Sequence, residues 1–139
     1  MHHIATLNWP GILVAALSGF VIGGLWYGPL FQKPWMQLTG MTKEKGAQAN
    51  MAVTFGGAYL LNLLGAFGLA ILLNGHAGWG TGLHMGAFTG FFFVATALGV
   101  IYLFEQRPFK LWCINAGYQI INLAAMGAVL GAWPQALSL

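Results

Sequence analysis

Four long apolar stretches, at about 9–31, 51–74, 84–104 and 111–133, alternate with short polar segments along this chain. Each is close to the ~20 residues that a helix needs to cross a ~30 Å hydrocarbon layer. The pattern predicts an all-α membrane protein of four transmembrane helices, forming a single domain over residues 1–139. Pro10 stands where a helix start tolerates proline, and Pro134 marks the exit from the fourth span. Thr42, followed by Glu44, offers an N-cap from which the second helix can begin before residue 51.

Composition and charge orient these spans. Charged residues make up 5% of the 139 and apolar ones 58%, whereas a soluble domain carries about a quarter charged residues. All five basic residues, Lys33, Lys43, Lys45, Arg107 and Lys110, fall between spans one and two or between spans three and four. The positive-inside rule therefore puts both segments in the cytoplasm, with the two termini and segment 75–83 outside. The tryptophans agree: Trp9, Trp79 and Trp133 mark the outer boundary, and Trp26, Trp35 and Trp112 the inner one. From Trp112 to Trp133 the helix rises roughly 32 Å at 1.5 Å per residue, about one hydrocarbon thickness. Residues 1–8 hold no Lys or Arg, and span one closes on Trp26 and Tyr27, so it reads as a retained span rather than a signal peptide. The formal charge of +3 belongs to loop anchors, which argues against a nucleic-acid surface. The single cysteine, Cys113, excludes an internal disulfide.

Two segments recur in order. Leu30-Phe31-Gln32-Lys33-Pro34-Trp35 is similar to Leu103-Phe104-Glu105-Gln106-Arg107-Pro108-Phe109, and Gly57-Ala58-Tyr59-Leu60-Leu61-Asn62-Leu63 to Gly117-Tyr118-Gln119-Ile120-Ile121-Asn122-Leu123. The expected architecture is two parallel helix-hairpin repeats about an axis along the membrane normal. Small residues repeat at spacing four as Ala15, Gly19 and Gly23, as Gly86 and Gly90, and as Gly127 and Gly131. Such rows let helix backbones approach closely, either within one bundle or across a dimer seam.

Asn62 and Asn122 fall near mid-span, and Asn115, Gln119 and Asn122 share a helix face at i, i+4 and i+7, flanked by Tyr118 and Met126. Two readings are open. In one, the asparagines clamp the repeats together; in the other, Asn62, Asn115, Tyr118, Gln119 and Asn122 line a pocket for a small polar or amphipathic molecule. The chain has no Asp, and neither Glu lies inside a span, which disfavours a proton-coupled exporter. Glu105 beside Arg107 reads as an interfacial ion pair. His2, His3, His76 and His84 all fall on the outer side, but without a recognised ligand spacing; they are weak metal candidates, and no metal or other cofactor is expected. No nucleophile, base and oxyanion donor assemble, so no catalytic residue is assigned.

The run Leu25-Trp26-Tyr27-Gly28-Pro29-Leu30-Phe31, with Lys33 and Trp35, resembles the signature of a mostly bacterial family of small membrane proteins, domain of unknown function 1761. Phe104-Glu105, Arg107-Pro108, Leu111 and Ile114-Asn115-Ala116-Gly117-Tyr118 resemble its second motif, and Gly127 and Trp133 its closing helix. The resemblance covers about residues 8–133 and implies a four-helix protein of the bacterial cytoplasmic (inner) membrane, without an assigned activity. The expected function is non-enzymatic: a small oligomeric carrier or binder, with the lipid bilayer and a homodimer or higher homo-oligomer as partners. The alternative is an accessory or scaffold subunit of a larger membrane complex, with Phe91-Phe92-Phe93 on a partner or in lipid.

Overall fold

A computed structural model of the chain describes residues 7–73 and 78–133. Every regular element among them is a helix: α1 (Trp9–Leu30), α2 (Gln32–Thr39), α3 (Lys43–Gln48), α4 (Met51–Leu73), α5 (Trp79–Phe104) and α6 (Phe109–Ala132). The four long ones, α1, α4, α5 and α6, are each long and apolar enough to cross a bilayer. The third begins at Trp79, earlier than the apolar run starting near residue 84 suggested, because Gly80, Thr81 and Gly82 lower the hydropathy without interrupting the helix.

The helix ends follow local chemistry. Asn8 Oδ1 accepts from Gly11 N–H at 3.2 Å, with Pro10 in the first turn, where its missing N–H costs nothing. Thr42 does cap a helix, accepting from Lys45 N–H at 3.1 Å, but that helix is the short α3. The chain turns extended at Ala49, and Asn50 caps α4 separately by accepting from Ala52 and Val53. Segment 32–50 is thus two short helices, joined at Gly40 in the left-handed conformation (φ 76°). Trp35 holds α2 against the bundle through an edge contact with Tyr27, ring centres 5.6 Å apart.

Two spans carry π-helical turns. In α1 the turn covers Trp26–Leu30, where Pro29 cannot donate and Phe31 N–H reaches back to the Trp26 carbonyl at 2.9 Å. In α5 it covers Gly90–Ala95. The turn from α5 to α6 is a Schellman closure, with Arg107 N–H on the Tyr102 carbonyl at 2.9 Å and Gln106 N–H on the Leu103 carbonyl at 3.2 Å. Gln106 occupies the left-handed position (φ 59°) that glycine usually fills.

α6 is the central helix and packs on α1, α4 and α5. Its seam with α5 is backbone against backbone. A Cβ on Gly82 would collide with the Gly127 carbonyl oxygen, and one on Gly86 with that of Leu123. A Cβ on Gly90 would lie 2.8 Å from Ile120 Cα. Gly78 N–H donates to the Gly131 carbonyl at 2.8 Å, bonding the two backbones directly. The rows Gly86/Gly90 and Gly127/Gly131 are therefore filled within one chain. At the end away from the basic segments, Leu7, Ile12, Ala15, Ala16, Leu69, Leu73, Met126 and Leu130 form the apolar core.

Candidate functional site

The polar groups at membrane depth gather between α1, α4, α5 and α6, in two connected clusters. At mid-span, Asn122 Nδ2 donates to Asn62 Oδ1 at 3.1 Å. Asn122 is 2% exposed, and its Oδ1 has no hydrogen-bond partner among the described residues. That oxygen lies against the backbone of Gly19, where a Cβ would collide with it. Tyr118 donates its hydroxyl to the Gly19 carbonyl at 3.3 Å. Gly19 thus lets α1 come close enough to meet both an amide and a phenol of α6.

Nearer the basic segments, Tyr27 donates to Asn115 Oδ1 at 2.7 Å, and Asn115 Nδ2 donates to the Tyr102 hydroxyl at 2.7 Å. One carboxamide so ties α1, α6 and α5 together. The rings of Tyr27 and Tyr118, 5.3 Å apart edge to face, join this cluster to the mid-span one. Tyr102 in turn lies under the Arg107 guanidinium, 5.3 Å from ring centre.

Four of the five residues singled out from sequence, Asn62, Asn115, Tyr118 and Asn122, take part in these clusters. Gln119 is half-buried and makes no side-chain hydrogen bond among the described residues. Spacing alone put it on the same face, but Asn115 and Asn122 stand about 10 Å apart along the axis at 1.5 Å per residue. They meet different polar partners at different heights, and the Gln119 side chain, between them, finds no such partner among the described residues.

Sequence reasoning did not assign Tyr27 and Tyr102 to these clusters, and it read Gly19 as a close-packing residue without naming the side chains it admits. The first two carried a usable signal, since a phenol inside a span needs a partner for its hydroxyl. Trp26 and Trp112, assigned above to the interfacial belt, also have internal roles. Trp26 Nε1 donates to the Ile114 carbonyl at 2.9 Å, beside Gly117. Trp112 Nε1 donates to the Ala95 carbonyl, in the π turn of α5, at 2.8 Å, beside Gly99.

His84 fixes its own ring through a 2.7 Å contact between Nδ1 and the Gly80 carbonyl. His2, His3 and His76 lie outside the described residues, and among the described residues no three His, Cys, Asp or Glu side chains gather. Glu105 and Arg107 form the expected exposed ion pair at 2.7 Å.

Four apolar helices of spanning length, three of them hydrogen-bonded at mid-span and the fourth seated on a glycine seam, define a polytopic α-helical membrane protein. Residues 10–131 match the family described as protein of unknown function (DUF1761), and the chain belongs to it. No curated protein matches the chain, and no solved structure does.

Proposed function

We propose that this protein works without catalysis, as a fixed helical platform in the bilayer on which another membrane component assembles. The observation that carries this reading is how its interior is spent. The mid-span amides bond to each other, and α5 meets α6 backbone to backbone. A carrier must open a central site to each side in turn, which requires helices to slide or rock. Glycine seams and interhelical hydrogen bonds oppose such motion. Outward, Leu60, Leu61, Leu64, Phe91 and Phe93 are exposed on α4 and α5, available to lipid or to a partner helix. A homo-oligomer is part of the proposal, but it draws no support from the glycine rows, which contact their own chain. The pairing of Asn62 with Asn122, equivalent positions of the two repeats, supports the duplicated-hairpin origin.

The second reading, a carrier for a small polar or amphipathic molecule, is favoured by the unpaired Asn122 Oδ1 and the unbonded Gln119 side chain. Cysteine accessibility separates the two. In a Cys113→Ser background, Tyr118→Cys and Gln119→Cys are probed in vesicles with membrane-impermeant maleimide from each side. The platform predicts no labelling from either side; labelling of one position from both sides would establish the carrier instead.

A further inference from the structure

At the basic end of the bundle a crevice of about 270 Å³ opens between the last turn of α5 and the first turns of α6. Gly99, Leu103, Phe109 and Trp112 supply its apolar lining, with Tyr102 and Arg107 at its polar rim. Phe109 and Trp112 stack at 5.5 Å, giving one flat aromatic wall. The indole N–H of Trp112 is already spent on the Ala95 carbonyl, so the wall presents no free donor. The volume is below the ~300–1,000 Å³ of drug-sized pockets, which suits a single hydrocarbon chain.

The rim has a different chemistry. The Schellman closure holds the Arg107 backbone at the mouth. Its guanidinium rests on the Tyr102 ring, and its Nε donates to Glu105. The terminal amino groups make no further hydrogen bond among the described residues. Tyr102 accepts from Asn115 and so keeps its own hydroxyl proton for another acceptor. Lys110 is exposed in the first turn of α6, so the turn and the helix start beside it carry two cations and one carboxylate. α5 ends at Phe104 and α6 starts at Phe109, so a bilayer spanned by these two helices would put the rim at headgroup level.

We infer that this crevice is a binding site for one anionic phospholipid, its phosphate on Arg107 and Tyr102 and one acyl chain along Leu103, Phe109 and Trp112. Apolar depth and cationic rim together match an amphipathic anion, and basic pockets between spans on the cytoplasmic side bind such headgroups. The inference is independent of the platform reading.

Native mass spectrometry of the full chain in detergent, titrated with phosphatidylglycerol or with phosphatidylcholine of the same chains, tests it. The expected result is retention of one phosphatidylglycerol in preference to phosphatidylcholine. Arg107→Gln should weaken that retention about fivefold, the worth of one basic residue near an anionic surface. Glu105→Gln, which frees the guanidinium, should strengthen it; opposite signs from two exposed neighbours cannot come from misfolding. Equal retention of the two lipids, or no change in Arg107→Gln, would overturn the site. So would displacement by glycerol phosphate at the lipid's own concentration, since the anion alone would then suffice.

Discussion

Asn122 shows how much one side chain can hold in a bundle without charge. It is almost fully buried, bonded to Asn62 of α4 and pressed on Gly19 of α1. Interhelical hydrogen bonds of this kind contribute about 0.6 kcal/mol on average. Asn62→Leu and Asn122→Leu should each lower detergent thermostability, because each strands the other amide in an apolar setting. The double variant should lose less than the sum, by a coupling of ~0.6 kcal/mol or more in a double-mutant cycle. Gln119→Leu serves as control and should be neutral; strict additivity of the asparagine pair would rule out the clamp. Glycines allow a sharper contrast on one helix. Gly82→Ala pushes a methyl into the Gly127 carbonyl, whereas Gly80 has open space around its Cβ position. Gly82→Ala should therefore cost about 1–3 kcal/mol, the usual penalty of overpacking, and Gly80→Ala should be neutral or slightly stabilising. Equal melting curves for the two would show that the α5–α6 seam is looser than its geometry indicates.

Among the elements, the two π-helical turns bear most on how the helices fit. A π turn adds a residue to the helix and leaves carbonyls poorly served within it. The Ala95 carbonyl is answered from α6 by the Trp112 indole, and the Gly99 site gives that ring room. Trp112→Phe keeps most of the ring surface but removes the donor. It should cost about 1 kcal/mol, read as a lower melting temperature, and should increase hydrogen exchange at residues 95–99. Unchanged exchange there would mean that the turn stands without the tryptophan. The break between α3 and α4 follows the same logic on a smaller scale. Thr42 and Asn50 are both good caps, so the segment forms two helices rather than one extended span.

For the whole molecule, charge asymmetry is the basis for proposing an orientation. The four spans alternate in direction, so segment 31–50 and turn 105–108, with all five basic residues at or beside them, lie at one end. We propose that this end is cytoplasmic, in a bacterial inner membrane, with both termini outside. Cys113 is exposed near the same end, so it is first replaced by Ser to leave each introduced cysteine as the single label. In oriented vesicles, an impermeant thiol reagent should modify a cysteine placed at Lys43 only from the cytoplasmic face, and one placed at residue 2 only from the outer face. The reverse pattern would overturn the orientation. Central placement of α6 also means that substitutions there should disturb the fold more than equivalent ones on α4 or α5.

The sequence determined the spans, their alternation and the chemistry of their ends, because those depend on apolar length, capping residues and charge placement, all of which are local. It also presented Asn62 and Asn122 as a pair, since both are amides at equal depth. Rotation of each helix about its axis was decided only by tertiary packing, and with it every contact that crosses helices. One residue turns a helix by 100°, so Tyr27 and Tyr102 are invisible as partners of Asn115 until the glycine seam brings α5 onto α6 and Gly19 admits α6 to α1. Gln119 was left unbonded for the same reason: a face is legible from spacing, whereas the neighbour at a given height on that face exists only once the helices have packed.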